Sequence, residues 1–288
     1  MKVAVIGCGI VGSAVAGGLE RLGHDVFRHD PAKYSTTVDE MLESKPEICF
    51  ISVPTPQDDD GSCNTSIVES VIQELVGRKY NGIIVIKSTV EPGFTDRMQE
   101  RHCYSYLNHD GTGANPRFKL AFVPEFLREA HAFHDFTEGH DVCVIGIPRD
   151  APFSLTDSII DELKRVHGRY PKSFHTMGAV EAELVKYFSN VFNAARITFA
   201  NGFYEVCKKL GANYDQVKSA MVDRPTITDM YLDCNENWRG FAGPCLPKDT
   251  SAFAALADKL GVEAQIFRTI VEDNKLYRPT VPEGMRLE

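Results

Sequence analysis

Val3-Ala4-Val5-Ile6-Gly7-Cys8-Gly9-Ile10-Val11-Gly12 is the stretch that decides the fold. A four-residue apolar run, too short for a helix and rich in β-branched residues, meets a G-x-G-x-x-G turn, and an amphipathic helix over about 10–22 follows. In that context each glycine has a task. Gly7 permits the tight turn, Gly9 lets backbone approach a pyrophosphate, and Gly12 lets helix and strand pack closely. Ile10 and Val11 complete the loop, and the helix N-terminus adds unpaired N–H groups. Asp30 ends the second expected strand. A carboxylate there accepts hydrogen bonds from ribose hydroxyls and repels a 2′-phosphate, so the pattern predicts a dinucleotide site that prefers NAD to NADP.

Outward from this turn, β-branched runs at 3–6, 25–28, 48–53, 83–87, 120–123 and 142–147 alternate with helical patterns at 36–44, 65–76, 94–102 and 153–166. Such alternation predicts a doubly wound parallel sheet covered on both faces. The polar stretch 108–116 reads as a surface loop. Beyond residue 177 the texture changes to an all-helical one. Residues 178–211 contain no proline, and Leu184, Val185, Phe188, Val191, Phe192, Ala195, Phe199 and Phe203 cover more than one face. A helix that long must bury itself against several neighbours, and a dimer mate through 178–210 is one expected partner. Helical patterns follow at 213–222, 249–260 and 263–277, then a tail at 279–288. The fold class is therefore α/β, with a Rossmann domain over 1–177 and a helical central domain over 178–288.

Composition removes several function classes. The 288 residues carry 31 Lys plus Arg against 40 Asp plus Glu, a net charge of −9 that opposes binding to a nucleic-acid backbone. No segment reaches the length of apolar residues that a membrane span needs. The uncharged run 3–19 is broken by five glycines and lacks a small-residue cleavage site, which argues against a secretory signal. Eight cysteines at 8, 49, 63, 103, 143, 207, 234 and 245, with no CxxC pair, read as reduced thiols in a cytoplasmic protein. His131 and His134 lack a third ligand at a recognised spacing, so no metal is expected.

The second informative stretch is Gly240-Phe241-Ala242-Gly243-Pro244-Cys245-Leu246-Pro247-Lys248-Asp249-Thr250. Glycines place a cysteine on a tight loop, and Pro247 fits the first turn of a helix. A cysteine at a helix N-terminus beside Lys248 has its thiolate favoured by the dipole and the charge. Asp249, four residues on, faces the same side. A lone cysteine is more often a small buried hydrophobe. This setting favours a nucleophile.

The segment resembles the GFGGxCLPKD motif of the UDP-glucose/GDP-mannose dehydrogenase family. Four more segments follow that family in order. They are Val53-Pro54-Thr55-Pro56, Lys87-Ser88-Thr89-Val90-Glu91-Pro92-Gly93, Pro124-Glu125-Phe126-Leu127-Arg128-Glu129 and Glu183-Leu184-Val185-Lys186-Tyr187-Phe188-Ser189-Asn190. The resemblance implies oxidation of the C6 alcohol of a nucleotide sugar to a carboxylate with two NAD molecules, through an aldehyde captured by Cys245. UDP-glucose is the expected substrate, with GDP-mannose or a UDP-N-acetylhexosamine as alternatives and a catalytically silent NAD-binding scaffold as the rival from another class. It implies roles for Lys186 and Asn190 at an oxyanion, for Asp249, Thr89, Glu129 and Glu125 in proton transfer and water positioning, and cofactor contacts at Val53, Pro54, Thr55, Thr89 and Lys248. Each has a plainer reading. Thr89 could cap the helix that follows, and Glu125 and Glu129 could pair with Arg128 on the surface.

The sequence departs from the pattern at Ala242, Pro244, Gly202 and at His140-Asp141. Family members continue into a third domain that holds the nucleotide, whereas this sequence stops 14 residues after Asn274. The expectation is weak sugar-nucleotide binding unless a dimer mate or a separate chain completes the pocket.

Overall fold

The computed structural model describes residues 1–104, 118–151 and 153–277. The expected loop at 108–116 and tail at 279–288 lie outside them. The chain divides into two compact units, 1–56 with 64–186, and 57–63 with the described residues from Tyr187 on.

In the first unit seven strands form one sheet in the order β2-β1-β3-β4-β5-β6-β7. They are β1 (Lys2–Ile6), β2 (Asp25–His29), β3 (Ile48–Ile51), β4 (Ile83–Ile86), β5 (Lys119–Phe122), β6 (Val142–Ile147) and β7 (Ser173–Gly178). Helices α1 (Ile10–Arg21), α2 (Val38–Glu43), α3 (Ser66–Gly77), α4 (Phe94–Tyr104), α5 (Ala132–Thr137) and α6 (Phe153–His167) connect them. Period-two alternation explains how the central strands serve two cores. Val3, Val5, Phe50, Val85, Ala121, Cys143 and Ile145 pack on one face with Val15 and Leu19 of α1, Phe136 of α5 and Leu163 of α6. Ala4, Ile6, Cys49, Ile51, Ile84, Ile86, Leu120 and Phe122 pack on the other with Met41 of α2, Ile72 of α3 and Met98 of α4.

The sheet differs from expectation in one respect. β6 runs antiparallel to β5, pairing at Phe122 and Gly146, while β7 returns parallel to β6. β7 and α5 had no sequence signal. β7 is a polar edge strand, Ser-Phe-His-Thr-Met-Gly, and α5 has only six residues.

The long helix α7 (Ala179–Leu210) has 32 residues, about 48 Å at ~1.5 Å per residue. It begins in the first unit and continues in the second. There it packs Val191, Ala194 and Ile197 against Phe241 and Ile270. Ala200 and Cys207 pack with Tyr214 of α8 (Tyr214–Val222) and with Cys234. Helices α9 (Leu246–Lys259) and α10 (Ile266–Tyr277) complete the unit. Much of the expected apolar face of α7 is not covered by the described residues: Phe188 is 73% and Phe199 64% exposed, and Leu184, Phe192 and Phe203 are exposed too. Among the described residues no helix is long and apolar enough to cross a membrane.

Candidate active site

The glycine turn after β1 lies at the carboxyl end of the sheet, where the strand order reverses between β1 and β3 and doubly wound folds bind ligands. Gly7 has φ +84°, and a Cβ there would meet the Ser52 carbonyl oxygen at 2.5 Å. A Cβ on Gly12 would lie 1.8 Å from the Gly7 oxygen, whereas Gly9 faces open space with nothing within 4 Å. Helix α1 opens with Gly9 as its cap, no side-chain capping bond and no acidic residue in its first turn. Its N–H groups beside Ile10 and Val11 can therefore meet an anion. Asp30 follows β2. Its Oδ2 accepts from the Cys8 N–H at 2.8 Å and its Oδ1 from the Ala32 N–H at 3.0 Å, which ties the turn to the next strand. Each oxygen keeps a second lone pair for a ribose hydroxyl. Val53, Pro54 and Thr55 leave β3 beside this turn, and the Ser88 hydroxyl donates to the Val53 carbonyl at 2.7 Å, joining the loops after β3 and β4. This set fits a dinucleotide.

Thr89 is half-buried in the loop after β4. The start of α4 is held instead by Glu183 of α7. Its carboxyl accepts from Gly93 N–H at 2.5 Å, and from Thr95 N–H at 2.9 Å and Thr95 Oγ1 at 2.5 Å. The carboxyl that holds the start of α4 thus comes from a residue 88 positions from Thr95.

Glu125 is not a surface residue. The Lys186 Nζ donates to its Oε1 and to its backbone carbonyl, both at 2.7 Å, and its Oε2 accepts from the Leu127 N–H at 2.7 Å. Burial alone would raise the Glu125 carboxyl, but the Lys186 ammonium and the Leu127 N–H outweigh it and hold the group below its ordinary value. Arg128 pairs with Asp135 through two charged hydrogen bonds, Nε to Oδ2 at 3.0 Å and Nη2 to Oδ1 at 2.8 Å. Neither glutamate is its partner in those bonds, and Glu129 is half-buried.

In the second unit Asn190, one turn beyond Lys186 on α7, donates from Nδ2 to Asp249 Oδ2 at 2.6 Å. Lys248 donates to Asp249 Oδ1 at 2.6 Å. The Asp249 side chain is 1% exposed, so an amide and an ammonium hold the carboxylate in place away from water. Lys248, expected at the cofactor, is engaged with this carboxylate. Cys245 is the N-cap residue of α9 and is exposed, unlike Cys8, Cys49, Cys63, Cys143, Cys207 and Cys234, which are buried thiols. Pro247 stands in the first turn and the Cys245 carbonyl accepts the Asp249 N–H at 2.9 Å.

Sequence reasoning assigned no role to two asparagines that hold the cysteine loop. Asn274 of α10 accepts from the Phe241 N–H at 2.7 Å and donates to the Phe241 carbonyl at 2.9 Å. Asn201 accepts from the Gly240 N–H at 3.2 Å and donates to the Ile197 carbonyl at 2.7 Å. The signal available was a buried amide on each helix, which composition alone does not show.

Residues 31–164 match the NAD binding domain, and residues 180–276 the central domain, of the UDP-glucose/GDP-mannose dehydrogenase family. The UDP-glucose dehydrogenase structure from Pyrobaculum islandicum superposes with a TM-score of 0.78 at 30% identity, over 96% of this chain and 68% of that one. The chain belongs to the UDP-glucose/GDP-mannose dehydrogenase family. It is 28% identical to the UDP-glucose 6-dehydrogenase AglM of Haloferax volcanii, over 95% of this chain and 69% of that protein. It is 29% identical to the UDP-glucose 6-dehydrogenase of Rickettsia typhi, over 96% of this chain and 67% of that protein. Membership makes this chain an NAD-dependent oxidoreductase of the nucleotide-sugar dehydrogenase class, with NAD as its cofactor.

Proposed function

We propose that the chain oxidises the C6 alcohol of UDP-glucose to the carboxylate of UDP-glucuronate, with Cys245 as the covalent nucleophile. The observation that carries this reading is the set of buried polar side chains along one helix, Lys186 with Glu125 and then Asn190 with Asp249. Buried ionic groups are costly to fold, and their retention one helical turn apart on α7 is characteristic of residues that do chemistry. The names of the three relatives given above, each a UDP-glucose dehydrogenase, support the substrate.

NAD, when bound, would supply the hydride acceptor for both oxidations. Gly7, Gly9, Gly12, Ile10, Val11 and Asp30 would hold it, together with Val53, Pro54, Thr55 and Thr89. As the alcohol loses a hydride from C6, its hydroxyl proton passes to water through Glu129 or Thr89. The Cys245 thiolate then adds to the aldehyde carbon, forming a C–S bond and an alkoxide that Lys186 and Asn190 stabilise. Loss of the second hydride leaves a thioester. A water oriented by Asp249 attacks it, the C–S bond breaks, and acid and thiolate are released.

NADH absorbance with a panel of nucleotide sugars tests the substrate. Cys245→Ser tests the chemistry: acid production should fall by at least about a thousandfold while NAD binding and melting stay unchanged, because a serine hydroxyl lacks thiolate character. Near wild-type acid formation would remove the covalent step.

The division into a Rossmann domain over 1–177 and a helical domain over 178–288 belongs to the same reading, as does a homodimer through α7. Phe188, Phe192, Phe199, Phe203, Val206 and Leu210 are all exposed and follow one another at steps of four, seven, four, three and four residues, one apolar stripe of the helix that a second copy would cover. Phe199→Glu should yield a monomer by light scattering; an unchanged mass would place the dimer seam elsewhere.

A further inference from the structure

The first unit buries a second cation that the proposed chemistry does not use. Lys87 follows β4 and is 4% exposed. Its Nζ donates to the Pro124 carbonyl at 3.4 Å, a long bond for an ammonium with three donors to place. By strand alternation Lys87 falls on the same side of β4 as Val85, which faces one of the two cores, and a buried ammonium there carries a desolvation cost.

The titratable groups around Lys87 come from every element that meets it. Glu125 lies after β5, Lys186 on α7, Cys143 on β6, His140 before β6 and His167 at the end of α6. Burial pushes His140 down to about 4 and His167 down to about 3, so both rings are neutral. Burial pushes the Cys143 thiol up to about 11. Among the described residues, Glu125 is thus the carboxylate that acts on both amines, Lys186 and Lys87.

We propose that Lys87 is a positioning residue for Lys186: its buried ammonium draws on the Glu125 charge, so that the Lys186–Glu125 pair carries a surplus positive charge that the oxyanion on the reacting sugar cancels. This rests on the assignment of Lys186 to the oxyanion. Loss of the Lys87 proton returns Glu125 wholly to Lys186 and removes the surplus. Burial lowers the Lys87 pKa from its ordinary value near 10.5, so the surplus is lost at a lower pH than an exposed lysine would set.

The test uses the full chain with UDP-glucose and NAD from about pH 6 to about pH 10. Lys87→Met should lower kcat about 10- to 100-fold at neutral pH, leave the KM for NAD unchanged, and flatten the alkaline fall of kcat. Lys87→Arg, whose charge persists above pH ~12, should keep kcat at neutral pH and move the alkaline fall upward. A second readout needs no turnover. In protein labelled at the lysine Cε, the Lys186 resonance should show a titration step that Lys87→Met abolishes. Wild-type kcat and pH profile in Lys87→Met, or a Lys186 step that survives it, overturns the proposal. If the Met variant does not fold, the Arg variant decides, and an unmoved alkaline fall overturns the proposal equally. Lys186→Ala separates the two readings: full activity there sinks the oxyanion role itself, while its collapse beside an unaltered Lys87→Met profile sinks only the role of Lys87.

Discussion

Two glycine-bearing loops lead into helices in this chain, Gly7–Gly12 into α1 and Gly240–Cys245 into α9, and they are held in opposite ways. The first is fixed by its own backbone. Gly7 takes φ +84°, the Gly12 Cα sits against the Gly7 carbonyl, and the side-chain tethers all come from nearby in sequence, Asp30 on the Cys8 N–H and Ser13 and Lys33 on the Cys8 carbonyl. The second loop is held from a distance, by Asn274 and Asn201, 33 and 39 residues away from the backbone groups they bind. Gly240 shares the need for a positive φ, at +66°, but a Cβ there would strike Asn274 Oδ1 at 2.9 Å rather than its own loop. The difference follows from what each loop presents. One offers backbone N–H groups to a phosphate, so its steric rules are written in its own residues; the other offers a side chain, so anything that fixes the backbone will serve.

The largest effect should come from the first loop. Gly12→Ala sets a methyl 1.8 Å from a backbone oxygen that cannot rotate away, so strand and helix must separate. We expect a loss of about 3 kcal/mol or more in urea unfolding and no measurable NAD binding. Gly9→Ala is the sharper probe, because its Cβ meets no atom of the protein. Stability should hold to within about 0.5 kcal/mol while NAD affinity falls at least tenfold, since the methyl would stand in the path proposed for the pyrophosphate. Calorimetry showing unaltered NAD affinity in Gly9→Ala would mean the phosphates lie elsewhere.

The second loop should respond next. Asn274→Ala leaves the buried N–H and carbonyl of Phe241 without partners, at ~1–3 kcal/mol each. The variant should lose roughly 2–4 kcal/mol in urea and, in the folded protein, change the rate at which iodoacetamide alkylates Cys245. Asn274→Asp restores the acceptor for the N–H but turns a second oxygen toward the Phe241 carbonyl, so it should recover only part of the stability. An alkylation rate equal to wild type in both variants would show that the clamp does not set the cysteine.

That contrast also explains what could be read from the sequence. The strands of the first unit were legible because alternation such as Val3/Val5 against Ala4/Ile6 serves two cores at once. The glycine turn was legible because its constraints are local, and so were Cys245, Lys186, Asn190 and Asp249 as members of motifs. Pairings across long separations were not. Nothing in Lys186 names Glu125 as its partner, 61 residues away, nor in Glu183 the cap of α4. Lys87 read only as a motif letter, since a lysine in sequence carries no mark of being buried. β7 was missed because an edge strand buries little and needs no apolar run.

The two units should differ in acid as well, and this is the smallest effect. All nine histidines occur at or before His175, so the second unit has none. In the first, burial holds His167 at about 3 and His140 at about 4, both below the ordinary value of 6.5. The sign follows from proton counts. Between these values and about pH 6.5 the unfolded chain binds protons that the folded chain excludes, so stability is full above about pH 6.5 and falls as pH drops. His167 Nδ1 donates to the Leu163 carbonyl at 2.8 Å, and the ring packs edge-on against Phe50 at 5.8 Å. His167→Phe keeps the ring and removes the titration. Its stability relative to wild type should therefore improve by about 1–2 kcal/mol between pH 7 and pH 5, read as the difference in urea midpoints at the two values. Equal pH dependence in wild type and variant would show that protons enter the core at His167 without unfolding it, and would remove the acid asymmetry between the units.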